Sequence, residues 1–221
     1  MIDDVIRAYN AAVLDTDRVR ALEVVSTALG QGVSPEDIMF KVVIPGLDLM
    51  IKALDEGFDT NLAQHFMTSQ IAAEITERML ELFEAPPKLI GHVVIGTAYG
   101  DLHTLGKRIV IGCLKAQMIT VTDLGVNVPA EKFVSEAVAK NAQVIAVSAM
   151  MVHTARSENG VLKVRQLLHD HGLEDKIRLV VGGAPFRYDP ELYKIVHADA
   201  WAENGVSAAK VILNCIREVS P

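Results

Sequence analysis

Residues 92–202 contain five short apolar runs, and a stretch with the apolar periodicity of a helix follows each run. The runs are HVVIGTA, ITVTDLG, QVIAVSA, IRLVVGG and ADAWA, and the helical stretches cover 104–117, 130–140, 157–171, 190–196 and 205–218. Strands that are apolar on both faces are typical of a parallel sheet with helices on both sides. The pattern predicts a flavodoxin-like, Rossmann-type α/β domain whose five-stranded parallel sheet has the order 2-1-3-4-5.

The first 85 residues differ, because their apolar residues recur only at helical spacing. Helices are predicted at residues 2–14, at 19–29, from 34 to 57 and around 67–83. Val19, Leu22, Val25 and Leu29 form the expected buried stripe of the second helix, and Pro45 is expected to kink the third. Four such helices favour a small antiparallel bundle. APPK at 85–88 breaks the last helix, so we predict a helical domain at 1–85 and an α/β domain at 86–221.

Composition narrows the classes of function. The chain has 221 residues, 22% of them charged, and a formal net charge of −7, as in a globular protein. Its basic residues are not clustered, which argues against binding to nucleic acid. No apolar run reaches the roughly 20 residues that cross a bilayer, and the N-terminus lacks the pattern of a signal peptide. Because Cys113 and Cys215 lie in apolar helical patterns, we expect buried, reduced thiols and a cytoplasmic location.

Chemically distinctive residues follow three of the predicted strands. They are Asp101, His103 and Gly106 after the first strand, Ser148 at the end of the third, and Gly182 and Gly183 at the end of the fourth. These strands are neighbours in the predicted order, and their carboxyl ends meet at the edge where α/β folds bind ligands. A metal-bound imidazole needs an acceptor for its second nitrogen, which Asp101 can supply. We therefore expect a site for a large cofactor at this edge, although an Asp-x-His pair also occurs in zinc and iron sites.

The motif Asp-x-His-x-x-Gly at 101–106, with Ser148 and Gly182-Gly183 after it, resembles the cobalamin-binding family. DLGVNVPAEKF and VVGGAP resemble the sequences of the same family, although Met150 stands where leucine is usual. The resemblance covers about residues 89–218. It is to the corrinoid proteins of anaerobic methyltransferase systems, which also place a helical domain first, and to the cobalamin module of methionine synthase. It implies cobalamin as the cofactor, in the form of methylcobalamin or a related corrinoid.

The resemblance also implies roles for individual residues. His103 would bind cobalt as an axial ligand in place of the cofactor's own base, with a hydrogen bond to Asp101 and with Thr154 extending that relay. The remaining contacts to the cofactor would come from a wider set. These candidates are Gly100, Asp101, Leu102, Thr104, Leu105, Gly106, Ser148, Met150, Val152, Thr154, Gly182, Gly183, Trp201, Glu203 and Asn204.

The function that the resemblance implies is that of a methyl carrier. A substrate-specific methyltransferase would load the methyl group, and a methyl-acceptor enzyme, for example one that uses tetrahydrofolate, would remove it. A reductive activator is a third implied partner, and the chain would not be catalytic without such enzymes. The helical domain would act as a cap over the methyl group. Two alternatives stay open: a cobalamin-binding sensor or storage protein, and the cobalamin subunit of a carbon-skeleton mutase, which usually lacks a helical domain.

Overall fold

A computed structural model describes residues 2–47, 49, 62–83 and 89–219. The chain divides into two compact units, one of Met1–Lys88 with Gly112–Met118 and one of Leu89–Ile111 with Ile119–Pro221. The predicted domain boundary between residues 85 and 86 lies outside the described residues, so the division into domains at 1–85 and 86–221 stays a prediction. Within the described residues, no helix is both long and apolar enough to cross a membrane.

The first unit is helical in its described part. Its elements are α1 (Ile2–Leu14), α2 (Arg18–Gly30), α3 (Pro35–Asp37), a π-helical segment (Ile38–Val43) and α4 (Leu62–Leu80). Helix α3 begins directly after Ser34, whose hydroxyl accepts a hydrogen bond of 3.1 Å from the Asp37 N–H, and Pro35 is its first residue. The π-helical segment lies just ahead of Pro45, which has no N–H to donate to the preceding turn. The predicted end of this helix at Gly57 lies outside the described residues.

The core of the helical unit differs from the prediction in α2. Val25 is buried as predicted, but Val19 is 61% exposed, and the other buried residues of α2 are Ala21 and Ala28. Alanine is a weak apolar signal in a sequence, but its small side chain lets two helices approach closely. In α4, Ile71, Ile75 and Met79 recur every four residues and are buried, as expected for the helix predicted around 67–83.

The second unit is an α/β fold whose five parallel strands have the order β2-β1-β3-β4-β5, which confirms the predicted sheet. The strands are β1 (Gly91–Thr97), β2 (Ile119–Asp123), β3 (Val144–Ser148), β4 (Arg178–Gly182) and β5 (Ala200–Ala202). The helices are α5 (Leu105–Ala116), α6 (Ala130–Ala139), α7 (Val152–Ala155), α8 (Val161–Asp170), α9 (Ala184–Tyr188), α10 (Leu192–Ile195) and α11 (Gly205–Val219).

Two details of the helices differ from the sequence pattern. The predicted helix 157–171 begins only at Val161, because Ser157 forms a turn in which its hydroxyl accepts the Asn159 N–H at 3.2 Å. Helix α9 was not predicted, although Pro185 stands in its first turn.

The register of the sheet aligns the strand ends that carry the distinctive residues. Thr97 pairs with Ser148, Ser148 pairs with Gly182, and Gly182 pairs with Ala202. Paired residues of neighbouring strands point to the same face of a sheet, so these positions form one row across four strands. The row places the end of β1, and the loop that follows it, beside the ends of β3 and β4.

Candidate functional site

The loop between β1 and α5 carries His103, and its backbone is tied down from both sides. The Asp101 N–H donates to the Ala98 carbonyl at 3.0 Å, and the Ala98 N–H donates to the Ser148 carbonyl of β3 at 2.9 Å. At the far end of the loop, the Thr97 hydroxyl donates to the His103 carbonyl at 3.0 Å. These bonds give the loop a defined conformation before any ligand is considered.

Asp101 is fully buried, and its carboxylate accepts four hydrogen bonds. Oδ1 accepts the backbone N–H of His103 at 3.0 Å and lies 2.8 Å from Nδ1 of the His103 ring. Oδ2 accepts the Met150 N–H at 2.6 Å and the Thr154 hydroxyl at 3.2 Å. The predicted contact between Asp101 and His103 and the predicted link to Thr154 are therefore both present in the geometry.

The protonation of this pair follows from the hydrogen bonds. Burial by itself would raise the pKa of Asp101, but the bonds from His103, Met150 and Thr154 outweigh burial and lower that pKa below its usual 3.8. A carboxylate can only accept, so the proton shared with the His103 ring lies on Nδ1. A neutral imidazole protonated at Nδ1 keeps its lone pair on Nε2, and 57% of the His103 side chain is exposed. This is the form of histidine that binds metals.

The fold requires glycine at one of the motif positions but not at two others. Gly183 has φ of +123°, and a Cβ there would lie 1.9 Å from the Ala149 carbonyl oxygen, so the fold itself requires glycine. Among the described residues, a Cβ on Gly182 would meet only the Ala202 carbonyl oxygen, at 3.6 Å, and a Cβ on Gly106 would meet nothing within 4 Å. The packing of the chain therefore does not explain Gly106 or Gly182. Both positions leave room for a ligand along the carboxyl edge.

Around His103 the edge presents an open, largely apolar surface. Leu102 is 70% exposed, Leu105 43%, Met150 47% and Val152 55%. Gly100 and Thr104 are exposed in the same loop. A group of exposed apolar residues on one edge is typical of a binding surface.

The predicted residues at the end of β5 have structural contacts of their own. Trp201 is partly buried and packs against the sheet core. The Glu203 carboxylate lies 3.6 Å from Nε of Arg187. Asn204 accepts the Ser207 N–H at 2.8 Å through its side-chain oxygen and so caps α11. Since β4 separates β5 from β3, these residues lie farther along the edge than Ser148, and their predicted contact with the cofactor stays a prediction.

Asn127 supports the His103 loop, and the sequence analysis missed it. Its side-chain oxygen accepts the Gly100 N–H at 2.8 Å, and its own N–H donates to the Asp101 carbonyl at 2.9 Å. Asn127 has φ of +53°, a conformation that asparagine tolerates better than most residues. The turn residues between Gly125 and Pro129 were a signal for this conformation, but not for its contacts.

Comparisons with known proteins identify the family. A family model of the B12 binding domain matches residues 91–210. Trimethylamine corrinoid protein 1 of Methanosarcina acetivorans is 30% identical over 189 residues, which cover 85% of this chain and 86% of that protein. This chain belongs to the family of B12-binding corrinoid proteins. The dimethylamine corrinoid protein of Methanosarcina barkeri is likewise 30% identical, over 93% of this chain and 94% of its own length.

A solved structure extends the similarity to the fold. The crystal structure of the methanol:cobalamin methyltransferase complex MtaBC from Methanosarcina barkeri matches with a TM-score of 0.78 and 26% identity, over 97% of this chain and 80% of that chain. The predicted resemblance is thereby confirmed, and cobalamin or a related corrinoid is the cofactor of this corrinoid protein.

The residues of the carboxyl edge fit such a cofactor. A half-exposed imidazole with Nε2 available suits a metal ligand, and Gly106 and Gly182 leave space that the chain does not fill. Among the described residues, no group of three or more histidine, cysteine, aspartate or glutamate side chains could hold a metal ion by itself.

Proposed function

We propose that this corrinoid protein is a methyl carrier, and that it binds cobalamin with His103 as an axial ligand of cobalt in place of the cofactor's own base. The observation that carries the proposal is the buried Asp101 carboxylate, which accepts from Nδ1 of His103 at 2.8 Å and so leaves Nε2 as the metal-binding nitrogen. When bound, cobalamin supplies a cobalt atom that can carry a methyl group.

The chain's own residues would orient the ligand and control its proton. Asp101 holds the proton on Nδ1, and the Met150 N–H and the Thr154 hydroxyl fix the second oxygen of the carboxylate. The exposed apolar side chains of Leu102, Leu105 and Val152 would exclude water from the face of the ring that they contact. Ser148 and Gly182 would line the path of the cofactor's tail, because they are register partners at the ends of neighbouring strands.

The relatives support a methyltransferase as partner. Their names refer to trimethylamine and dimethylamine, and the similar structure is that of a methanol:cobalamin methyltransferase complex. We therefore infer that a methyltransferase specific for a small methylated compound loads this chain. The other proposed partners are an acceptor enzyme, with tetrahydrofolate as the expected methyl acceptor, and a reductive activator. The cytoplasm stays the predicted location.

The ligand assignment can be tested by electron paramagnetic resonance of cobalt(II) cobalamin bound to the protein. A nitrogen ligand splits the signal, and the splitting changes when the protein's histidines carry ¹⁵N. We expect that change in the wild type and its loss in His103→Ala. His153→Ala is the matched control, because His153 is an exposed histidine of α7 at the same edge. A splitting that does not respond to ¹⁵N in the wild type, or a response to ¹⁵N that survives in His103→Ala, would contradict the assignment.

The carrier role needs a separate test. The reduced, cobalamin-loaded protein is mixed with purified methyltransferases for trimethylamine, dimethylamine and methanol, each with its substrate, and methylation is followed by absorption. Methylation by one enzyme supports the carrier role. If none of the enzymes methylates a protein whose histidine ligation has been established, the sensor or storage function becomes the better explanation.

A further inference from the structure

Lys107 carries a cationic side chain into the interior of the α/β unit, just after the His103 loop. It lies in the first turn of α5, and only 2% of its side chain is exposed. Its ammonium group donates to the Asp123 carboxylate at the end of β2 and to the Gly125 carbonyl at 2.9 Å. Lys107 thus links α5, the helix that follows the His103 loop, to the turn that follows β2.

That turn is itself bonded to the His103 loop at several points. The Gly125 carbonyl, which accepts from Lys107, also accepts the Thr97 N–H at 3.0 Å. Two residues farther along, Asn127 bonds to both Gly100 and Asp101. The Gly125 N–H donates to Asp123 at 2.9 Å, which closes the turn around the same carboxylate. A contact that holds residues 123–127 in place therefore also holds Asn127, which bonds to the backbone of Gly100 and Asp101.

Stability alone does not account for a lysine at this position. Burial of an ammonium group is unfavourable, and an apolar side chain of similar size is often as stabilising as a buried ion pair. Asp123, with 42% of its side chain exposed, would stay hydrated without its partner. A methionine could therefore replace Lys107 without a large loss of stability, but it would bond neither to Asp123 nor to Gly125.

We propose that Lys107 is a positioning residue for the metal-binding histidine. It holds the first turn of α5 against the turn at 123–127, and so keeps the Asp101–His103 pair in one geometry. The consequence at cobalt rests on the function proposed above. The effect on the loop is a property of the chain alone and can be measured without cofactor.

The test is amide hydrogen exchange of the cofactor-free protein, measured by NMR for Lys107→Met. The reporters are the N–H groups of Gly100, His103 and Asn127, because each donates one of the bonds that shape the loop. We expect these amides to exchange about tenfold faster or more, as the loss of a charge-assisted hydrogen bond allows, while amides in the strands stay within about twofold.

Arg165→Met is the matched control. Arg165 is also a buried cation, 13% exposed, but it pairs with Glu174 and Asp199 next to the amino ends of β4 and β5. There the reporter is the Leu179 N–H, which donates to Asp199 at 2.6 Å. We expect Arg165→Met to accelerate exchange at Leu179 and to leave the loop reporters unchanged, and Lys107→Met to do the reverse.

Two results would overturn the proposal: unchanged exchange at the loop reporters in Lys107→Met, or equal acceleration at the loop and at Leu179. If Lys107→Met does not fold, Asp123→Asn takes its place, because it keeps an oxygen for Gly125 but removes the charge that Lys107 contacts. Unchanged loop exchange in a folded Asp123→Asn protein would also refute the idea. With cobalt(II) cobalamin added, we expect a smaller histidine-ligated fraction in Lys107→Met. If the wild type shows no histidine ligation, the proposed function fails, while the exchange result still decides the role of Lys107.

Discussion

Replacing Asp101 with asparagine removes one acceptor from a fully buried group that accepts four hydrogen bonds. If the remaining oxygen faces His103, the new NH2 group faces the Met150 N–H, which now donates to Oδ2 at 2.6 Å. If the amide is turned round, its NH2 group faces the backbone N–H and the ring of His103. Either orientation places two donors against each other and leaves a partly buried backbone N–H without its acceptor.

The expected magnitude follows from these contacts. A partly buried backbone N–H that loses a charged acceptor costs about 1–3 kcal/mol in the free energy of unfolding. Asparagine avoids the cost of burying a charge, but the pKa of Asp101 is lowered despite burial, so its hydrogen bonds outweigh that cost. We therefore expect Asp101→Asn to destabilise the α/β unit by about 1–3 kcal/mol. Thr154→Val removes the longest of the four bonds to Asp101, at 3.2 Å, together with the bond of the same hydroxyl to the Met151 carbonyl at 2.8 Å. Because one hydroxyl proton serves both acceptors, the loss should be less than about 1.5 kcal/mol.

Urea unfolding followed by tryptophan fluorescence measures both variants in the relevant unit. Trp201 is the only tryptophan of the chain and lies in β5, so the signal reports on the sheet rather than on the helical unit. A midpoint that shifts without a change in slope gives the difference in stability. The reasoning would be refuted if Asp101→Asn stayed within about 0.5 kcal/mol of the wild type, or if Thr154→Val cost as much as Asp101→Asn.

Two further predictions concern the glycine pair and the cysteines. Gly183→Ala should prevent folding or lower the free energy of unfolding by more than about 4 kcal/mol, because its Cβ would overlap the Ala149 carbonyl. Gly182→Ala should fold normally but bind cobalamin more weakly. Equal thermal stability of the two variants would contradict this difference. Burial raises the pKa of Cys113 to about 12 and that of Cys215 to about 11. Neither thiol should therefore react with a disulfide reagent at pH 8 until the protein unfolds. Rapid reaction of the native protein would contradict the burial of these thiols.

The sheet could be predicted because its determinants are local and repeated. Each strand is an apolar run such as Val144–Ser148, and each crossover is long enough for a helix, which predicts parallel pairing. The flavodoxin-like order is one of the few common orders of such sheets. The contact between Asp101 and His103 could also be predicted from the sequence, because two residues that lie two positions apart in a short loop have few possible arrangements. The stripe of α2 was predicted correctly only at Val25, because its other buried residues are Ala21 and Ala28, which an apolar pattern underweights.

The supports of the site could not be predicted, since they depend on register and on loop backbone. The Met150 N–H reaches Asp101 across 49 residues of sequence only because Thr97 and Ser148 pair at the ends of β1 and β3. The contact of Asn127 with the loop depends equally on a backbone conformation that no periodicity encodes. By contrast, the capping role of Asn204 was readable, because Asn-x-x-Ser stands at the start of α11.

The same carboxylate that orients the metal-binding histidine also joins two strands of the sheet. Asp101 bonds to His103 through one oxygen and to the backbone after β3 through the other, so the bonds that hold Asp101 in the fold also orient the imidazole. A ligand that is oriented before the cofactor arrives loses little conformational freedom on binding, which favours affinity. Coupling of this kind also means that variants of Asp101 must be judged by stability and by histidine ligation together. A variant that lost ligation while it kept full stability would show that the two roles are separable after all.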